Sequence, residues 1–310
     1  MKKLLATILA LVMALGLCSV AWATGEYTPL PDAVNDTITL TEDVTFSGDA
    51  TLNLTGKTVE TKGYTIIVAS GTVSITGGKF VNETEGVTTK GSEDPHGILA
   101  VNSGATLNIT NASLETKAYQ PLTVEGTCNS VGTTYKCTVA NDKYDSKVMI
   151  SVKGSAAHLN MPSGSVEMVA STVASDGMYG IYASKGGKVT VGDAATGTGP
   201  SVHSQFAALG NNHDTSPSVW NIYGGEYVSA AKAADNDWWK YFCGALYLPA
   251  TTDINIYGGT FKGGNYAVCM PWADAGTDVD ISGGTFSADN GDGLFYYRSN
   301  TAAEPTTHPD

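Results

Sequence analysis

The sequence predicts an all-β solenoid, a chain of short strands wound into stacked coils, and three observations carry that prediction. An apolar-polar-apolar phrase with a glycine-rich bend recurs along the chain, period-two strands lie between its copies, and no stretch forms a convincing amphipathic helix. The phrase is plainest where it is written twice. Ile254-Asn255-Ile256-Tyr257-Gly258-Gly259-Thr260-Phe261 returns 25 residues later as Val279-Asp280-Ile281-Ser282-Gly283-Gly284-Thr285-Phe286. A unit this short cannot bury its own core, so each copy must stack on its neighbour.

Taken in order, the chain opens with Met1-Lys2-Lys3, an apolar run from Leu4 to Leu17, and Ala21-Trp22-Ala23 before polar Thr24-Gly25-Glu26. This is the pattern of a secretory signal peptide over residues 1–23, cleaved after Ala23. Cys18 follows Leu17, where a lipidation signal wants a small residue, so lipid anchoring is not expected. No later apolar run reaches the ~18 residues of a membrane helix. The expected location is therefore secreted or cell-surface, in a bacterial style of export.

Losing Lys2 and Lys3 with the leader moves the formal net charge from −13 to −15, and Arg298 is the one arginine in the chain. Nucleic acid is excluded as a partner, because its sequence-independent binding rests on clustered Lys and Arg. An extracellular glycan or a surface protein is the partner class that remains.

Residues 24–50 are expected to cap the first coil: Glu26 to Asp36 is irregular, and Thr37–Thr41 and Val44–Phe46 alternate as strands. Residues 51–298 form the repeat domain. Copies of the phrase begin at Leu52, Val73, Leu107, Leu159, Val189, Trp220, Ile254 and Val279. An apolar residue returns five positions after the phrase in most of them, as Val59, Phe80, Leu114, Val166, Tyr227, Phe261 and Phe286. Alternation places these side chains on one interior, and Gly-Gly supplies the bend between them. Between the Leu107 and Leu159 copies lie 52 residues, enough for one further coil with Pro121-Leu122-Thr123-Val124 as a strand. Residues 299–310 read as a linker or tail.

The polar second position, Asn53, Asn108, Asn160, Asn221 and Asn255, is expected to stack as an amide ladder, and Tyr223 and Tyr257 as an aromatic one. Four cysteines follow the leader. Cys128 and Cys137 flank a turn-rich segment and are expected to pair across it; Cys243 and Cys269, about one repeat apart, are a second candidate disulfide. No Cys-x-x-Cys or His-x-x-x-His spacing supports a metal site.

The repeat resembles the right-handed parallel β-helix of the pectate-lyase-like superfamily, in particular the Asn-Ile-x-Gly-Gly-x-Phe rung of bacterial secreted and cell-surface proteins. The resemblance covers roughly residues 40 to 298 and implies a right-handed parallel β-helix of eight to ten rungs with an N-terminal cap. That superfamily includes polysaccharide lyases and glycosidases. A lyase of this type is expected to use a basic residue, often Arg, with carboxylates holding calcium, and here Arg298 stands on the last partial rung. The Asp-Asp, Gly-His-Gly and Arg-x-Lys stretches of galacturonase-like glycosidases are absent.

Paired carboxylates exist at Asp235 and Asp237 and at Asp274, Asp278 and Asp280, and such pairs carry glycosidase chemistry when correctly spaced. At coil turns, solvated acids are the ordinary expectation. Asp289-Asn290-Gly291-Asp292-Gly293 lacks the closing Glu of a calcium loop, so no cofactor is expected. No catalytic residue is assigned.

Binding is the better-supported expectation. Asp237-Trp238-Trp239-Lys240-Tyr241-Phe242 interrupts the repeat before Ile254, and Trp272 is expected in the corresponding loop one rung later. Flat aromatic rings beside Asp235 and Asp237 are what sugars stack on. The sequence thus points to a non-catalytic adhesion or carbohydrate-binding module, with a diverged polysaccharide lyase or glycoside hydrolase as the alternative.

Overall fold

The computed structural model describes residues 21–24, 30–83, 97–117, 120–139, 147–170, 178–211, 216–230, 244–249, 252–273, 277–289 and 295–299. Among the described residues, thirty strands form three ten-stranded sheets that the chain visits in strict rotation. Sheet 1 runs from β1 (Ala21–Thr24) to β28 (Asp278–Ile281), sheet 2 from β2 (Thr37–Thr39) to β29 (Thr285–Ala288), and sheet 3 from β3 (Val44–Ser47) to β30 (Phe295–Ser299). Each strand pairs with the strand three further on, and every pairing from β2 onward is parallel. One strand from each sheet makes a rung. The fold is the expected right-handed parallel β-helix, in ten rungs.

Local sequence explains the coil. In the ninth rung, β25 (Thr252–Ile256) points Ile254 and Ile256 inward at 1% exposure, and β26 (Thr260–Gly263) brings Phe261 to the same interior. Gly258 and Gly259 make the corner for two different reasons. A Cβ on Gly258 would sit 2.7 Å from the Tyr223 carbonyl of the rung before, and Gly259 holds φ at +110°, which side chains resist. Stacking is like on like: the Tyr227, Phe261 and Phe286 rings lie 5.0 and 4.9 Å apart and nearly parallel.

Register departs from the sequence reading at two places. In β4 (Asp49–Asn53), Leu52 and not Leu54 pairs with Ile75 of β7 (Thr72–Thr76), so the phrase there is Ala50-Thr51-Leu52 and the following corner is two residues longer. A two-residue slide keeps every side chain on its original face, which is why alternation could not reveal it. Asn53 consequently leaves the amide ladder and accepts a hydrogen bond from the Thr55 amide instead.

The second departure is a missed copy of the phrase. The long interval holds the expected further rung, and Cys128-Asn129-Ser130 of β13 (Thr127–Val131) pairs with Leu107-Asn108-Ile109 of β10 (Thr106–Thr110). A serine in an interior position hid it. Ser130 and Tyr135 are both fully buried, and their hydroxyls bond each other at 2.9 Å. Each therefore satisfies the other in the core.

This rung also corrects the cysteine assignment. Residues 129–134 are not a loop: β13 ends at Val131, Gly132 turns the corner, and β14 (Thr133–Val139) begins in another sheet. Cys128 is a free, buried thiol, so the bridge to Cys137 is not formed. Burial pushes the Cys128 thiol up to about 12, which removes the thiolate that exchange chemistry needs. Cys243 lies outside the described residues; Cys269 is buried in β27 (Tyr266–Ala273) with its Sγ against Gly244.

At the start, β2 and β3, expected as cap, pair in parallel register with β5 (Thr58–Glu60) and β6 (Ile66–Ser70) and belong to the stack. The antiparallel element is β1 on β4, and it spans the expected cleavage point after Ala23. Residues 1–20 and 300–310 lie outside the described residues.

Candidate functional site: an aromatic and acid-amide face on sheet 1

The three corners differ in what they carry. The connection from sheet 2 to sheet 3 contains residues 84–96, 140–146, 171–177, 231–243 and 290–294, all outside the described residues. Asp235, Asp237, Trp238, Trp239 and Tyr241 fall there. In the next rung that corner is only Gly264 and Asn265, between β26 and β27. Trp272 instead lies in the last two residues of β27, which ends at Ala273 where the chain passes from sheet 3 to sheet 1. Trp272 therefore does not share the corner of the 231–243 insertion, contrary to expectation, because the insertion joins sheet 2 to sheet 3. The Trp272 side chain lies outside the described residues.

Over its middle strands sheet 3 differs from the other two in being buried on both faces, whereas its first strands, β3 and β6, still alternate. Each residue of β9 (Leu99–Val101), β12 (Leu122–Val124), β21 (Ala207–Asn211) and β24 (Gly244–Tyr247) is buried, whereas sheets 1 and 2 alternate. An aromatic cluster lies beside β24: Tyr179 contacts Tyr182, Phe206 and Tyr247 with ring centroids 4.7, 5.4 and 5.9 Å apart. Gly210 makes room for it, since a Cβ there would lie 2.7 Å from the Tyr179 ring. Tyr179, Phe206 and Tyr247 are buried, so the cluster is packing and presents no ring surface to a ligand.

Sheets 1 and 2 do present side chains, and those of sheet 1 are largely amides. The outward column of sheet 1 reads Ser74, Asn108, Asn129, Asn160, Thr190, Asn221, Asn255 and Asp280 in register. Amide-to-amide bonds join Asn129 to Asn108 at 2.9 Å and Asn255 to Asn221 at 3.3 Å. The expected ladder exists, then, with Asn129 as the member that sequence reading passed over.

Near the C-terminal end this column meets an aromatic one. Tyr223 and Tyr257 stack with centroids 4.8 Å apart and planes 8° from parallel. The next rung offers Ser282 where a third ring would stand, so Tyr257 is 47% exposed. On the far side of Tyr223, the loop from Asp193 to Thr198 crosses its neighbour Gly224 so closely that a Cβ there would sit 2.0 Å from the Gly197 carbonyl. That loop is held by bonds from the Ala195 amide and the Thr196 hydroxyl to Asp193. The stack is therefore closed at the Tyr223 end and open at Tyr257.

On the strands that lead to the open ring stand Asn255 and its register partner Asp280, two residues back, and Asp253 and Asp278 two residues further back still. Asp253 and Asp278 are register partners, as are Asn255 and Asp280. Asp253 accepts from the Asn255 amide at 3.2 Å, and none of the three aspartates has an ion pair among the described residues. Sheet 2 contrasts with this, since its outward charges pair off, Lys79 with Glu115 at 2.8 Å and Lys262 with Asp289 at 3.2 Å. The arrangement gives a flat ring at one end of a row of hydrogen-bond acceptors and one amide. Among the described residues, no three metal-ligating side chains converge.

No family model, no curated protein and no solved structure matches the chain. The three stacked parallel sheets show the architecture of a parallel β-helix.

Proposed function

We propose that this chain is a pectate-lyase-like β-helix acting outside the cell as a non-catalytic, glycan-binding module, with Tyr257 as the stacking platform. The observation that carries this reading is the exposed Tyr257 ring, stacked on Tyr223 at the end of strands that present Asn255 and Asp280 and, further along, Asp253 and Asp278. A pyranose ring has an apolar face that stacks on an aromatic side chain and a rim of hydroxyls that donate to carboxylates and exchange bonds with amides. Backing by Tyr223 holds the platform in one rotamer before a ligand arrives, which lowers the entropy lost on binding. Net negative charge favours neutral or amino sugars over acidic polymers such as pectin or alginate.

Titration calorimetry with xylan, chitin oligosaccharides and mucin glycans tests this. Binding should appear with at least one probe, and Tyr257→Ala should weaken it by about tenfold or more, the loss typical of an aromatic anchor. Absence of binding to all three, or a Tyr257→Ala protein that binds like the parent, refutes the assignment. If Trp238→Ala with Trp239→Ala abolishes binding while Tyr257→Ala does not, the ligand sits on the insertion instead.

A further inference from the structure

Sheet 1 changes character along its length. Its later rungs carry Asp253, Asp278 and Asp280, whereas β7, β10 and β13, in rungs three to five, present a surface without charge. The outward column before the amide ladder there reads Thr72, Thr106, Thr127, and the one after it Thr76, Thr110, Val131. Between the columns Val73, Ile75, Leu107 and Ile109 are buried, so alternation commits these side chains to the outside. No outward residue of the three strands is charged, in a chain with 30 acidic and 17 basic residues.

The surroundings mark this face off. Sheet 2 shows Lys79, Glu115 and Lys136 on the same rungs, and β9 and β12 of sheet 3 are buried. One rung below, the Asp49 carboxylate is engaged by the Thr72 amide at 2.7 Å. One rung above, desolvation and then Lys188 hold the His158 pKa below the ordinary 6.5, so that ring is uncharged at neutral pH.

The ladder through the middle of the face is polarised. Asn160 donates to Asn129 at 3.5 Å, Asn129 to Asn108 at 2.9 Å and Asn108 to the Ser74 hydroxyl at 3.4 Å, each toward the preceding rung. A side-chain amide has two N–H donors and two lone pairs. Asn108 and Asn129 each use one of either kind in the ladder and keep one of either kind for a partner. The hydroxyls of Thr72, Thr76, Thr106, Thr110 and Thr127 have no hydrogen bond among the described residues.

Such a face fits an uncharged partner that offers donors and acceptors along a straight line at steps of ~4.8 Å, the spacing of the strands. Anionic chains are repelled by the net negative charge, and cationic ones find no carboxylate on these strands. Hydroxyls both donate and accept. A neutral β-1,4-linked glucan carries them on a straight backbone, at one sugar per step of nearly the strand spacing.

We infer that rungs three to five of sheet 1 form a second carbohydrate surface, on which a neutral β-1,4-linked glucan lies along the coil axis. The surface stands four rungs, roughly 19 Å, from Tyr257 and does not depend on it.

Titration calorimetry with cello-oligosaccharides on the full chain carrying Tyr257→Ala tests this, since any binding that remains is independent of the platform. Cellotetraose is expected to bind about tenfold more tightly than cellobiose, because each further sugar meets a further rung. Thr106→Val with Thr127→Val removes two hydroxyls at nearly constant shape and is expected to weaken cellotetraose about tenfold, with the circular dichroism unchanged. Oligogalacturonate, an acidic counterpart, is expected not to bind. Absence of cellotetraose binding, equal affinities for cellotetraose and cellobiose, oligogalacturonate bound as tightly as cellotetraose, or a valine variant that binds like its parent overturns the inference. None of these outcomes bears on the Tyr257 platform, which is missing from every protein in the series.

Discussion

Removing one hydroxyl from the fifth rung should unbalance a core that tolerates removal of both. Ser130 and Tyr135 occupy interior positions where neighbouring rungs place Ile109 and Leu114, and each hydroxyl has the other as its hydrogen-bond partner at 2.9 Å. Both side chains are fully buried, so neither reaches solvent when its partner is lost. Burial pushes the Tyr135 phenol well above its ordinary range, first by desolvation, so it stays a neutral donor at any working pH. Tyr135→Phe strands the Ser130 hydroxyl, and an unsatisfied buried polar group costs about 1–3 kcal/mol. Ser130→Ala strands the phenol at a similar cost, with a small cavity added. The double variant should lose much less than the sum, giving a coupling of about 1–2 kcal/mol in a double-mutant cycle. Urea unfolding followed by circular dichroism measures all four proteins. Single variants within 0.5 kcal/mol of the parent, or strictly additive losses, would refute the claim that the two hydroxyls are each other's only compensation.

Two further outcomes follow from neighbouring features. Phe261 is fully buried between Tyr227 and Phe286, so Phe261→Ala should cost about 3–5 kcal/mol in the same assay; a loss under 1 kcal/mol would show that the ring stack contributes little. His158, bonded to the Thr190 hydroxyl at 3.1 Å, has its pKa held below the ordinary 6.5 by desolvation and then by Lys188 beside it. The unfolded chain therefore takes up this proton at a higher pH than the folded one. Its stabilising contribution is complete above the unfolded value and lost as pH falls from 6.5 toward the folded value. Comparing pH 7.5 with pH 5.5, His158→Asn should lose less stability on acidification than the parent; equal losses would rule His158 out as the cause.

The coil itself was readable because its causes are local. Ile254, Ile256 and Phe261 fall inside by alternation, and Gly258 and Gly259 bend the chain because few other residues fit there. The Asn221 to Asn255 and Tyr223 to Tyr257 ladders follow, since copies of one phrase stack in register. The candidate site was half legible. Tyr257 was recognised as a ladder residue, yet its exposure depends on Ser282 standing above it, a relation between rungs.

What the sequence determined by itself, then, is the repeating unit: which side chains point inward, where the chain bends, and that like covers like. What the tertiary structure alone decided is everything measured between units. Register at Leu52 and the hidden copy at Cys128-Asn129-Ser130 escaped because a two-residue slide or a buried polar pair leaves the local pattern legal. The separation of Trp272 from the 231–243 insertion and the burial of both faces along the middle of sheet 3 depend on counting three strands per turn. Alternation fixes which face of a strand is buried against its own coil; what lies on the other face is set by residues far away in sequence.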